Sequence, residues 1–195
     1  MKNNFISDEI FSRMRKHWVR VVPDEKIIKY LNEINHEILT ILEISGENWR
    51  TKFFSKKYTS LSYQEFDIEK DREHSEKYDL IILEHVLEHV SNPYSSLVNL
   101  FNLLNPGGHL IVVTPFLIKI HPSPIDCTRW TALGLSFLLE DVGFKKGNIK
   151  VGQWGNKSAV KANFKKWVKY NPLLHSLRNE ENFPAVVWGF AKKNN

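Results

Sequence analysis

Apolar and polar positions follow two different rhythms along this chain. Residues 24–36, DEKIIKYLNEINH, set Ile27, Ile28, Leu31 and Ile34 on one helical face, and ILTILEI (38–44) then becomes continuously apolar, as a strand buried on both sides does. The alternation recurs downstream. YDLIIL (78–83) predicts a second buried strand, and Val86, Leu87, Val90, Leu97, Leu100 and Leu104 predict a helix that ends at Asn105-Pro106-Gly107-Gly108. HLIVVTPF (109–116) predicts another buried strand. TALGLSFLLEDVGF (131–144) reads as a helix with Thr131 near its cap, Gly143 at its stop, and Leu135, Leu138 and Leu139 on one face. FPAVVWGFAKK (183–193) reads as a last strand, antiparallel at the sheet edge.

Strands apolar on both faces, alternating with amphipathic helices, predict an α/β fold: a mostly parallel, doubly wound sheet with helices on both faces. Such sheets bind ligands beyond the carboxyl ends of their strands, which places the expected site after Ile44, Leu83 and Thr114. No internal repeat divides the 195 residues, so one domain spans 1–195, with an N-terminal helical segment at 1–37 and lid-like insertions at 116–130 and 152–182. Hydrophobic residues at 42% and charged residues at 25% exclude a disordered chain. No apolar run approaches the ~20 residues of a membrane span. The N-terminal MKNNFISDEIFSRMRKHW has no apolar export signal, and the single Cys127 can form no internal disulfide, so a cytoplasmic location is expected. Twenty-seven basic against 22 acidic residues leave +5, an excess that admits an anionic partner but argues weakly for nucleic acid.

ILEISG, YDLIILEHVLEHVSNP, LFNLLNPGGHLIVVTPF and RWTALGLSFLLEDVGF, between about Ile38 and Phe144, resemble the class I S-adenosylmethionine-dependent methyltransferases of the type 11 kind. The resemblance implies a Rossmann-like sheet closed by an antiparallel strand, here Ala185–Ala191. In the family the first strand ends in an acid and a glycine-rich turn; here Glu43-Ile44-Ser45-Gly46-Glu47-Asn48-Trp49 offers one glycine where the family has three. Serine is small and asparagine tolerates the left-handed conformation, so Ser45 and Asn48 partly replace the missing glycines. YTSLSYQEFDIEKD (58–71) corresponds to shortened second and third strands, with Ser62 where the family keeps the acid that holds the ribose hydroxyls. Glu65 or Asp67 can stand in for that acid, and Asp71 falls beside the adenine amino group. The resemblance thus implies that Glu43, Ser45, Gly46, Ser62 and Asp71 hold the cofactor, with Glu84 and His85 beside its methionine end.

Glu84-His85-Val86-Leu87-Glu88-His89 carries a second kind of chemistry. His85-x-x-Glu88-His89 has the residue order of inverted zinc peptidases, but its place directly after a buried strand argues against peptidase chemistry. Class I enzymes that methylate hydroxyls, among them small-RNA terminal ribose methyltransferases and ubiquinone-pathway O-methyltransferases, look similar here. That likeness implies a divalent ion held by His85, Glu88, His89 and His121, softer than magnesium because His85 replaces a glutamate. The alternative is that Glu88 and His89 brace a helix while His85 lines the cofactor pocket.

HPSPIDCTRWT (121–131) lies over the expected site as a substrate lid. His121 is the candidate base, Asp126 orients its ring, and Arg129 clamps a substrate carboxylate or phosphate. Equally, Asp126 and Arg129 pair with each other and hold the loop shut with the histidine exposed. Lys157, Lys161, Lys165 and Lys169 recur every fourth residue opposite Val160, Phe164, Trp167 and Val168, a basic amphipathic helix that is either a solvated face or a surface for an anionic substrate, RNA or membrane. The expected activity is methyl transfer from S-adenosylmethionine to a hydroxyl, amine or carboxylate of a small or sugar-like metabolite. Its rivals are a non-catalytic binder on the same fold and an RNA-modifying enzyme.

Overall fold

Six strands form one sheet in the computed structural model, which describes residues 12–34, 40–52, 55–71 and 73–195. They are β1 (Thr40–Ile44), β2 (Lys57–Leu61), β3 (Tyr78–Glu84), β4 (Leu104–Pro115), β5 (Ile149–Trp154) and β6 (Val186–Lys192). Their spatial order is β2-β1-β3-β4-β6-β5, parallel from β2 to β4 and antiparallel where β6 meets β4 and β5. Helices α1 (Val21–Glu33) and α4 (Lys157–Lys165) pack on one face, and α2 (Pro93–Leu103) and α3 (Ala132–Val142) on the other. The doubly wound α/β architecture expected from the pattern is present. The first eleven residues and the Ile38-Leu39 start of the expected first strand lie outside the described residues.

β3 explains why the central strands read as unbroken apolar runs. Leu80 and Ile82 pack with α1 and Trp49, Ile81 and Leu83 pack with α2 and α3, and all four are fully buried. Asp79 ties three strands together at their amino ends. One of its carboxylate oxygens accepts from the Thr40 amide and hydroxyl, both at 2.9 Å, and the other from Asn105 Nδ2 at 2.8 Å.

Four expectations need correction. Residues 58–71 give one strand, not two: after β2 the chain turns at Ser62–Phe66 and again at Asp67–Asp71. Neither parallel connection on this side, β1 to β2 or β2 to β3, carries a helix among the described residues, and the fully buried Trp49 packs on the sheet face beside β1. The helix expected from Val86 starts only at Pro93, because Asn92 caps it by accepting from the Ser95 amide at 3.0 Å and Pro93 fits its first turn. Leu87–His89 form a separate 3-10 turn, so His85 and His89 are not one α-helical turn apart. The last strand is interior, since β5, half-exposed and polar enough to read as loop, lies outside it. Finally, α4 stops at Lys165; its buried face is Ala159, Val160 and Asn163, which leaves Phe164 and Trp167 exposed.

The exit of β5 is tightly packed. A Cβ on Gly155 would lie 2.1 Å from the Phe183 carbonyl oxygen and 2.3 Å from the Ala185 nitrogen, both backbone atoms that cannot swing away. Gly155→Ala is expected to lower the free energy of unfolding in urea by about 3 kcal/mol, near the top of the usual overpacking range. Gly147→Ala, whose Cβ would meet nothing within 4 Å, is the control and should change it by less than about 0.5 kcal/mol.

Candidate active site

β1 and β3 run side by side in parallel with Ile44 opposite Leu83, so the residues that leave the two strands emerge together. Both exits are strained. Ser45 has φ 59° and His85 φ 55°, a left-handed conformation that costs a side-chain-bearing residue roughly 1–2 kcal/mol. Each is held by a backbone bond to a neighbouring strand: Ser45 N donates to Leu61 O at 2.9 Å and His85 N to Val113 O at 2.8 Å. Paired strain at adjacent strand ends is characteristic of functional sites.

Glu43 fixes the first exit from below. Its carboxylate, 1% exposed, accepts from the Asn48 amide at 3.0 Å, the Trp49 amide at 3.2 Å and the Tyr58 hydroxyl. A Cβ on Gly46 would approach Glu43 Oε1 to 2.7 Å, so the one retained glycine is the position where the loop passes closest to this carboxylate. Glu43 and Gly46 therefore shape the loop. Trp49 in turn donates its indole N–H to Glu84 Oε2 at 3.0 Å, which reaches across from the end of β3.

Three cavities surround these exits. The first, about 360 Å³, is walled by Ile44, Phe66, Ile68, Val86, Val90 and Ile125, with Ser45, Asp67, Glu69, His85 and His89 among its polar groups. The second, about 440 Å³, is ionic: Arg15, Lys16, Arg20 and Lys52 line it with Asp24, Glu84, His17 and Asn48. Burial lowers the pKa of Lys52; burial and the nearby Glu84 raise that of Asp24, against the pull of its ion pair with Lys16. The third, about 260 Å³, shares His85 and His89 with the first and His17 and Arg20 with the second, and adds Glu88, His121 and Trp167.

Glu88 is the centre of the third cavity. Its side chain is fully buried, and Oε1 has no hydrogen-bond partner although three imidazole nitrogens ring it: His85 Nδ1 and His89 Nε2 at 3.6 Å and His121 Nε2 at 4.0 Å. Burial would raise this carboxyl's pKa, but the facing His85 and His89 outweigh it and hold it below the ordinary value. Burial also lowers the pKa of His121, against Asp126 and Glu88, and so favours neutral imidazole. His89 Nδ1 lies against the Ile125 carbonyl, which only accepts, so this nitrogen carries a proton and Nε2 is the ring atom that faces Glu88.

The other expected residues fall into two groups. Ser45 and His85 line the first cavity and Glu84 the second, whereas Ser62 donates its amide and hydroxyl to Glu65, at 3.0 and 2.9 Å, and Asp71 accepts from the Asp67 amide at 2.6 Å. Asp67 and Glu69 are the acids that reach the first cavity. Asp126 does not orient the His121 ring: it accepts from the His121 backbone N–H at 2.8 Å and forms a two-pronged pair with Arg129, whose guanidinium holds it at about 2. That pair braces the loop, and Cys127 N closes it onto Glu88 O at 2.7 Å. His121 is nevertheless not exposed outward; it sits between Glu88, His89 and the Trp167 ring, whose centroid is 5.5 Å away. Sequence reasoning missed the ionic cavity, since Arg20, Lys52 and Asp24 form no local pattern and meet only through the fold.

The comparisons with known proteins agree with this geometry. The family model for a methyltransferase domain matches residues 26–145. No curated protein matches the chain in sequence. Among solved structures, a SAM-dependent methyltransferase of Thermotoga maritima superposes with a TM-score of 0.57 at 14% identity, covering 99% of this chain and 97% of that one. The plantazolicin methyltransferase BamL, solved with S-adenosylhomocysteine, gives 0.58 at 13% identity over 100% and 92%. N-methyltransferase NodS of Bradyrhizobium japonicum gives 0.53 at 13% identity over 88% and 97%. With the family model covering more than half of its length, the chain belongs to the methyltransferase-domain family, within the class I S-adenosylmethionine-dependent methyltransferases.

Proposed function

We propose that the chain transfers a methyl group from S-adenosylmethionine to a hydroxyl of a small, sugar-like metabolite. The observation that carries this reading is the pairing of an apolar cavity with an ionic one on either side of Ser45 and Glu84-His85. The cofactor has the same two characters. Its adenosine suits the walls made by Phe66, Ile68 and Val90, with the Asp67 carboxylate in the same lining as an acceptor for the ribose hydroxyls. Its amino-acid end suits the second cavity, where Glu84 and Asp24 can meet an ammonium and Arg20 and Lys52 a carboxylate. Bound there, S-adenosylmethionine supplies an electrophilic methyl on a sulfonium.

The third cavity, which adjoins both others, is the acceptor site in this reading. His121 and His89 offer imidazole nitrogens beside Glu88 to take up the hydroxyl proton, and Trp167 forms an aromatic wall. Glu88, His89 and His121 place one ligand atom each within 4.8 Å of the others, and a buried carboxylate oxygen without a hydrogen-bond partner among two imidazoles is a donor set that suits a divalent cation. Zinc or manganese held there would lower the pKa of the acceptor hydroxyl.

Calorimetry with S-adenosylhomocysteine tests the cofactor site. Micromolar binding is expected, and Arg20→Met should weaken it at least tenfold, the effect of a lost charge-assisted hydrogen bond of roughly 1.5–3 kcal/mol. Absence of binding at millimolar ligand would sink the enzymatic reading. The metal is tested separately by thermal unfolding of chelator-treated protein: added zinc or manganese should raise the melting temperature, and Glu88→Gln should cancel that rise. A variant that keeps the full rise shows that the ion binds elsewhere.

A further inference from the structure

Charge is distributed very unevenly along the chain. From Val142 to Asn179 there are eight lysines, one arginine and no acid, so this stretch carries +9 and the remainder −4. Large apolar side chains leave the core in the same stretch: Phe164 is 52% exposed, Trp167 40%, Leu173 91% and Leu174 75%. Two features tie the stretch to the rest of the molecule. Trp18 N donates to Val168 O at 2.8 Å, and the Trp18 ring stacks on His175 at 4.1 Å, which anchors the segment on both sides of Leu173-Leu174.

Lysines intermixed with exposed tryptophan, phenylalanine and leucine match the chemistry of an interface between water and anionic lipid. We propose that the Lys157–Leu174 surface docks the protein on an anionic membrane surface, with Lys161, Lys165 and Lys166 meeting headgroups and Phe164, Leu173 and Leu174 entering the apolar boundary. Nucleic acid also attracts lysines, but Leu173 and Leu174 carry neither a charge nor a ring to stack on a base, and hydrocarbon rewards their burial. Docking stands apart from methyl transfer. Only one consequence rests on that reading: Trp167, which belongs to this surface, also walls the third cavity, so docking sets the acceptor cavity beside the membrane.

Flotation of the full chain with vesicles tests the docking. The protein should float with equal mixtures of phosphatidylglycerol and phosphatidylcholine, stay behind with phosphatidylcholine alone, and lose binding as salt rises. Replacing Lys161, Lys165 and Lys166 by Gln should weaken binding by roughly fivefold per lysine. The double variant Leu173→Ser and Leu174→Ser, altered only at exposed positions, should abolish the part of binding that survives salt. The proposal is overturned if vesicles of both kinds are ignored, if the leucine variant floats like the parent, or if single-stranded RNA binds both parent and leucine variant equally and displaces the vesicles. S-adenosylhomocysteine calorimetry on the same samples separates loss of docking from loss of the cofactor site.

Discussion

The Glu43 carboxylate is the interaction on which the functional end of this molecule depends. A doubly wound sheet normally follows its first strand with a helix, whose amino end would order the loop. Here that helix is missing among the described residues, and two backbone amides and a tyrosine hydroxyl converge on one buried carboxylate instead. A buried ion surrounded by donors is stable where an unpaired one is not. The same arrangement explains how the chain manages with one glycine: the bend after Ile44 is imposed from beneath by Glu43, and Ser45 takes the left-handed turn under that constraint.

At the neighbouring strand ends a buried carboxylate is ringed by three imidazoles. Glu88 is buried without a hydrogen-bond partner for Oε1 among the described residues, and the carbonyl of Ile125 orients His89 so that its other nitrogen faces that oxygen. Such an arrangement is costly in a finished structural core and economical in a site completed by a proton or a cation. The Asp126–Arg129 pair stabilises this arrangement by holding the 121–129 loop against the 3-10 turn that carries Glu88, which leaves the guanidinium occupied.

The legible parts of the fold were those whose burial is extreme. β3 and β4 are apolar on both faces, and no polar environment tolerates such runs, so their sequence admits one reading. β5 was not legible because it is an edge strand with alternating half-exposed residues and a glycine, which reads as loop. The helix expected from Val86 is too long because apolar spacing alone does not show where a chain pauses; the Asn92-Pro93 cap does. Of the residues named from the sequence, Ser45, His85, Glu88, His89 and His121 follow strand ends and line the first or third cavity. Asp67 outranks Ser62 for a geometric reason, since the turn after β2 directs one to the cavity and ties the other to Glu65. The cations around Arg20 and Lys52 have no linear signature at all.

One feature of the sheet bears on the order of events during folding. β6 hydrogen-bonds to β4 on one side and β5 on the other, and the 70 residues 116–185 separate β4 from β6. Until that central ribbon is seated, β5 has no partner and the stretch between them has no floor to rest on. The pairings of the parallel half close shorter loops, whereas β6 must close the longest one before β5 can join the sheet.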